Sequence, residues 1–254
     1  MSEFNFEDEI SIREVEGLKF YIRNKKDIIE KRLYNGKLWS EDLILLIKDY
    51  IKKYNLNHCL NVGSHIGSIS LPISKLLQKV TSIEAHPVIY SSLLENIKIN
   101  QIKNIETLNV AISDKIEEVK FMSLRNHRTW NNSGGMHVFT SNDIKNNRKS
   151  SYLICDDYKV MSTTIDNLNL DSVDIIISDI EGMELEMMRG AKDTISKFRP
   201  IIVTEIWEDF KRRLESMSET RQDIINIFLE MDYILEASVG DNFIFIPKEK
   251  IKEN

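Results

Sequence analysis

The chain predicts an α/β protein built on a doubly wound, mostly parallel sheet, and three observations predict it. Short apolar runs alternate with helical patterns from about residue 58 onward. One of these runs, VDIIIS (173–178), is apolar almost throughout, as strands buried on both faces of a parallel sheet are. The first run of the series opens into a glycine turn, LNVGSHIGSIS (60–70), and the pattern then becomes helical.

Taken in order, GLKFYIR (17–23) reads as a short strand and DIIEKRLYNG (27–36) as a short helix stopped by Gly36. Ser40 is the expected N-cap of the next helix, with Glu41 and Asp42 in its first turn, where the helix dipole favours acids. HCLNV (58–62) is a strand, and 66–78 a helix with Pro72 in its first turns. VTSIE (80–84) is a strand, and Pro87 suits the N1 position of a helix through about Asn100. IETLNVAI (105–112) and VDIIIS are further strands. MELEMMRGAKDTISKF (183–198) is helical, Pro200 opens the strand IIVTEI, and a helix around 219–231 leads to a closing hairpin, YILEAS and NFIFIP. The alternation breaks at 113–170. There EVKFMSL (118–124) and MHVFT (136–140) read as strands around the loop RNHRTWNNSGG, followed by the polar stretch TSNDIKNNRKSS. The expected organisation is an N-terminal α/β extension over 1–55 and a main domain over 56–254, with a β insertion at about 115–160.

Composition narrows the function classes. The 254 residues carry a net charge of −6, so no overall basic footprint for nucleic acid is present. The longest apolar runs, such as LILLI (43–47), are too short to span a bilayer, and the acidic start MSEFNFEDEI holds no apolar signal core. Cys59 and Cys155 lack metal-ligand spacing and read as reduced, buried thiols of a cytoplasmic protein. The apolar residues of the N-terminal segment need cover, which makes a homodimer contact one expectation.

Gly63, at the carboxyl end of a strand, permits a tight turn and close approach of a ligand, and Gly67 permits close packing where the helix starts. Ser64 and His65 lie between them. The next strand ends in Glu84, 21 residues after Gly63. A carboxylate there can accept hydrogen bonds from ribose hydroxyls, so the expected guest is a nucleoside-containing cofactor. The spacing GSHIG lacks the GxGxxG of a dinucleotide site. The same glycines also serve a plain strand–turn–helix junction.

These motifs together resemble the FkbM family of S-adenosylmethionine-dependent methyltransferases. The resemblance runs through LNVGSHIG, SIEAHP (82–87), NVAISD (109–114), the SGG at 133–135 and MSTTIDNL (161–168). It is most specific in VDIIISDIEGMELEMMRGAKDTISKFRPIIVTEI (173–206). It implies a Rossmann-like class I methyltransferase fold, with a seven-stranded sheet, helices on both faces and a C-terminal antiparallel hairpin. It also implies O-methylation with S-adenosyl-L-methionine as cofactor. The expected cofactor residues are Asn61, Gly63, Ser64, His65, Gly67, Glu84, Ala85, His86, Ala111 and Asp179. The chain departs from the family's D-x-G-A-N-x-G pattern at Asn61 and His65, and Ser178 stands where the family usually has Lys.

Asp179 and Glu181 lie at the end of one strand and Glu205 at the end of the next. Carboxylates that crowd together raise one another's pKa, which suits a base working near neutral pH. The expected catalytic residues are therefore Asp179, Glu181 and Glu205, with Asp179 as the base or acceptor-orienting group. The same three oxygen donors suit a divalent cation, and purely structural roles, Glu181 capping a helix and Glu205 pairing with an arginine, stand beside these. Arg125, His127, Trp130 and His137 are the expected contacts to the acceptor, a small hydroxyl compound such as a sugar or nucleotide sugar. Three alternatives stay open: a non-catalytic or redirected nucleoside-binding module, an RNA ribose 2′-O-methyltransferase, and a nicotinamide-dependent oxidoreductase.

Overall fold

Isoleucines that alternate between two cores set the architecture. In the computed structural model, residues 10–123, 132–140, 153–214 and 217–251 are described. Strand β10 (Ile175–Ser178) sends Ile175 and Ile177 to one face and Ile176 to the other. The neighbouring β11 (Ile201–Glu205) repeats this with Ile201 and Val203 against Ile202. This period of two, buried on both sides, places both strands in the middle of a sheet.

That sheet has seven strands in the order β12-β13-β11-β10-β3-β4-β5. Its other members are β3 (His58–Val62), β4 (Lys79–Ile83), β5 (Ile105–Leu108), β12 (Tyr233–Val239) and β13 (Asn242–Pro247). Pairings from β11 through β5 are parallel, and the C-terminal hairpin β12–β13 joins antiparallel to β11. The order reverses at β3, so the crevice between the carboxyl ends of β3 and β10 is the topological switch point where ligands bind in such sheets. This is the Rossmann-like class I arrangement. The helices are α1 (Ile28–Tyr34), α2 (Glu41–Tyr54), α3 (Ser70–Ser74), α4 (Pro87–Ile99), α5 (Glu184–Arg189), α6 (Lys192–Phe198), α7 (Asp209–Leu214) and α8 (Arg221–Glu230). No helix among the described residues is long and apolar enough to cross a membrane.

The N-terminal hairpin β1 (Ser11–Val15) and β2 (Leu18–Ile22) buries Val15, Leu18, Phe20 and Ile22 in the same core as Cys59 and Ile175. These four find cover within the chain, while Ile10, Ile12 and Ile28 of the same segment stay exposed. A second sheet, ordered β6-β9-β7-β8, is made of β6 (Ala111–Ile112), β7 (Glu118–Ser123), β8 (His137–Phe139) and β9 (Leu153–Thr163). Cys59 is a buried free thiol whose pKa burial pushes up; the side chain of Cys155 lies outside the described residues.

Several expectations are corrected. Ser40 is not a side-chain cap: its backbone is left-handed and its hydroxyl makes no capping bond. The helix expected over 66–78 shrinks to Ser70–Ser74, because His65 (φ +50°) and Gly67 (φ +90°) are left-handed and postpone helical geometry. Residues 105–112 are not one strand. Asn109 turns the chain by donating its amide to the carbonyls of Glu84 and Ala85, and β6 leaves for the second sheet. The helix over 183–198 is two, parted at Gly190, where a Cβ would sit 2.3 Å from the Ser113 carbonyl oxygen. β1, β9 and α7 were not anticipated.

Candidate active site

The cleft at the switch point is assembled from three parts of the chain. Its floor is the turn after β3 and the end of β4, including Asn61, Gly63 and Glu84. Ile29 and Trp39 reach it from the N-terminal segment, and Ser133, Gly134 and Met136 from the insertion. Asp179, Ile180 and Glu181 line it at the end of β10.

The glycine turn is fixed from below. The N–H groups of Gly63 and Ser64 both donate to the Ile83 carbonyl, each at 2.9 Å. A Cβ on Gly63 would lie 1.9 Å from the Asp179 carbonyl oxygen, so the close approach this glycine permits is that of the adjacent strand end. At Gly67 a Cβ would meet Leu71 at 2.2 Å and Leu93 at 2.9 Å, which makes it the packing point between turn and helices. Both have positive φ, at +80° and +90°, where a side chain is strained in any case.

Glu84 organises this end. One of its carboxylate oxygens accepts the His65 N–H and the other the His86 N–H, each at 2.8 Å. Burial raises its pKa to about 7 against the lowering pull of these backbone bonds. Asn61 donates its amide to Ser70 (2.8 Å), which bonds in turn to Ser82 (2.7 Å). Ser64 returns its hydroxyl to the Asn61 carbonyl. Ala85 and Ala111 also line the cleft. The His86 ring lies between Phe121 and Tyr158, both 4.8 Å away centroid to centroid. Burial, then the neighbouring His65, lowers its pKa to about 4. His65 is lowered by burial too, with Asp27 opposing. Nδ1 of each of these two imidazoles is buried and has no hydrogen-bond partner among the described residues.

The other end of the cleft is acidic. Carboxylate oxygens of Asp179, Glu181 and Glu205 lie within 4.8 Å of one another. The D-x-E-G turn that brings them together holds Glu181 at φ +54° and Gly182 at +93°. A Cβ on Gly182 would meet Met217 at 2.4 Å and Trp207 at 3.0 Å. Asp179 is exposed and lines the cleft. Desolvation, then the charges of Glu205, Glu181 and Glu184, raises it well above the ordinary aspartate range. Because the side chain also meets open space, the like charges carry the effect more securely than the desolvation does. Glu181 is raised to about 7 by burial and then by Glu205, with Lys211 (3.4 Å) opposing. Glu205 is raised chiefly by burial; it accepts the Trp207 indole N–H at 2.7 Å and lies beside Asp179. Glu184, 1% exposed, accepts the N–H groups of Ile180 and Gly182 beneath them, and burial lifts it to about 8.

This geometry decides between the roles weighed for the acids. Glu205 meets Trp207 and Asp179 rather than an arginine, and Glu184, not Glu181, satisfies the turn before α5. The triad's oxygens are near enough to share a cation, and the ammonium of Lys211 lies 3.4 Å from Glu181. Ser178, buried, donates to Thr204 (2.8 Å) inside the sheet. Of the expected acceptor contacts, Arg125, His127 and Trp130 lie outside the described residues, as does the stretch 141–151. His137 is placed in β8, with its side chain outside the description.

Sequence reasoning missed Asp27, Ser133, Glu184 and Lys211. Asp27 was legible as a helix start and Ser133 within the SGG, while nothing at Lys211 pointed inward.

Comparisons with known proteins agree with the architecture. The model of the methyltransferase FkbM domain matches residues 61–235, more than half of the chain. A crystal structure of methyltransferase FkbM from Methylobacillus flagellatus KT superposes with a TM-score of 0.50 at 16% identity. It covers 75% of this chain, while this chain spans only 43% of it. A Staphylococcus aureus protein provisionally assigned as a caffeoyl-CoA O-methyltransferase gives a TM-score of 0.51 at 13% identity, over 85% of this chain and 88% of its own. At such identities the shared property is the fold. No curated protein matches the chain. With the matched span enclosing the glycine turn, Glu84 and the whole acidic turn, the chain belongs to the FkbM methyltransferase domain family.

Proposed function

We propose that the protein is an S-adenosylmethionine-dependent O-methyltransferase acting on a hydroxyl of a saccharide or other small metabolite. The observation that carries this reading is the meeting, at one switch-point cleft, of the Glu84-organised glycine turn and the raised carboxyls of Asp179 and Glu181, with Glu205 within 4.8 Å of both. The cleft suits an adenosyl guest. Its walls are apolar at Ile83, Val110 and Phe121, and Glu84 and two unpaired imidazole nitrogens add polar atoms. Asn61, Gly63, Ser64, His65, Gly67, Glu84, Ala85, His86 and Ala111 are the residues that would hold or frame it.

The cofactor supplies a methyl carbon activated by its sulfonium. The residues of the chain align the acceptor and take its proton. Asp179, open to the cleft and raised by its neighbours, accepts the hydroxyl proton, which cancels its own negative charge and relieves its repulsion with Glu205 and Glu181. Glu181, steadied by Lys211, orients a second hydroxyl. Carboxylates that accept hydrogen bonds favour a polyhydroxylated acceptor, a sugar or nucleotide sugar. The net charge of −6 favours such a guest over a nucleic acid. A free, buried Cys59 fits the reducing cytoplasm.

Calorimetric titration with S-adenosylmethionine, S-adenosylhomocysteine and NAD tests the cofactor. Binding of the first two, lost in Glu84→Ala, is expected; binding of NAD alone, or of none, overturns it. Turnover with sugars and nucleotide sugars, with and without a chelator, then identifies the acceptor and any need for a cation.

A further inference from the structure

His65 is tied to two distant parts of the chain. Its Nε2 lies 2.8 Å from the Ser133 hydroxyl, in the SGG turn of the insertion. That hydroxyl donates to Asp27 Oδ2 at 2.8 Å, and the Ser133 N–H donates to the same oxygen at 2.6 Å. The other Asp27 oxygen accepts the N–H groups of Ile29 and Glu30, at 2.9 and 3.0 Å, at the start of α1. Asp27 is fully buried. Both of its oxygens act as acceptors, so the hydroxyl proton of Ser133 is committed to it. Ser133 Oγ has only lone pairs left to offer His65, and the imidazole must therefore donate from Nε2. A neutral ring with its proton on Nε2 carries a lone pair on Nδ1. That Nδ1 is buried, finds no partner among the described residues, and belongs to a residue that is 7% exposed and lines the cleft. Buried polar atoms in native proteins are almost always paired. His65 lines the cleft, so a small turn of its ring on binding would present Nδ1 to a donor of the occupant.

We infer that Asp27 and Ser133 fix His65 as its Nε2–H tautomer, so that its Nδ1 accepts a hydrogen bond from an N–H or O–H of the bound adenosyl cofactor. This rests on the cofactor reading above. His65 is then a cofactor contact, and Ser133 and Asp27 are positioning residues that act through it. The same bonds draw the N-terminal helix and the insertion together over the glycine turn, so the cofactor contact and the closure of the cleft share one set of hydrogen bonds.

The first readout is the tautomer in the ligand-free protein. Imidazole ¹⁵N shifts, assigned with His65→Asn, are expected to show Nε2–H at His65; an Nδ1–H ring or an imidazolium at neutral pH overturns the inference. Asn is chosen because it tolerates the left-handed backbone of position 65. The second readout is affinity for S-adenosylhomocysteine and for 5′-methylthioadenosine, which lacks the amino-acid part. Ser133→Ala and His65→Asn should each weaken S-adenosylhomocysteine about 3- to 10-fold. Ser133→Thr, which keeps the hydroxyl, should restore it. A loss seen with both ligands places the donor on the nucleoside, and a loss confined to S-adenosylhomocysteine places it on the ammonium. Affinities of both variants within about twofold of the wild type, with their melting temperatures unchanged, overturn the contact while leaving the cofactor reading intact. No binding by the wild type overturns both.

Discussion

The two ends of the cleft use carboxylates in opposite ways. At the β3–β4 end a single acid, Glu84, has both oxygens occupied by backbone N–H groups and holds two loops in place. At the β10–β11 end, Asp179, Glu181 and Glu205 crowd within 4.8 Å, with Glu184 beneath and Lys211 the cation facing Glu181. Both ends raise pKa values, but for different reasons. Glu84 is raised by burial alone, whereas the acidic group adds like-charge repulsion. The first arrangement builds a rigid seat. The second gathers acids that hold their protons more tightly than free carboxyls do.

If the ends differ in this way, a substitution at one should spare the work of the other. Asp179→Asn gives the largest expected effect. Turnover should fall about 10²- to 10⁴-fold with S-adenosylhomocysteine affinity changed less than about threefold. A parallel loss of affinity would erase the distinction. Gly63→Ala should break both ends at once, because the added methyl collides with the Asp179 carbonyl at 1.9 Å. We expect a cost on the order of 2–4 kcal/mol, read by denaturant unfolding; a neutral outcome would mean that the strand ends are not held together as described.

Glu84→Gln comes next. Gln keeps one acceptor oxygen for two N–H groups, so stability should drop by about 1–3 kcal/mol, with weaker cofactor binding and turnover at saturating cofactor largely kept. A fall in saturated turnover as large as that of Asp179→Asn would place Glu84 in the chemistry.

The smallest effect concerns pH. Glu184 titrates at about 8 in the fold, above its ordinary 4.5, so its contribution to stability is present below 4.5 and is lost as pH rises through 8. Glu181 and Glu84, each at about 7, act in the same direction. The melting temperature should therefore decline from pH 5 to 8.5, and Glu184→Gln should flatten that decline by a few degrees. An equal decline in the variant would show that Glu184 is not the buried acid it looks to be.

The sequence by itself determined the alternation of strands and helices and the residues of the cleft floor. A strand buried on both faces must be apolar along its length, and VDIIIS is. A crowded turn needs glycine, and Gly63 and Gly67 are there. An acid ending the next strand is legible because chain order places it at the same sheet end. Only the tertiary structure decided what these residues touch. Gly63 makes room for the Asp179 carbonyl, 116 positions away. The helix expected over 183–198 parts at Gly190, where the Ser113 carbonyl leaves no room for a side chain. Asp27, Ser133 and His65 meet only after the N-terminal segment and the insertion fold over the sheet. Periodicity and turn chemistry act over a few residues and can be read from local order. Hydrogen bonds and charge crowding depend on distances across the sheet, which the chain acquires only on folding.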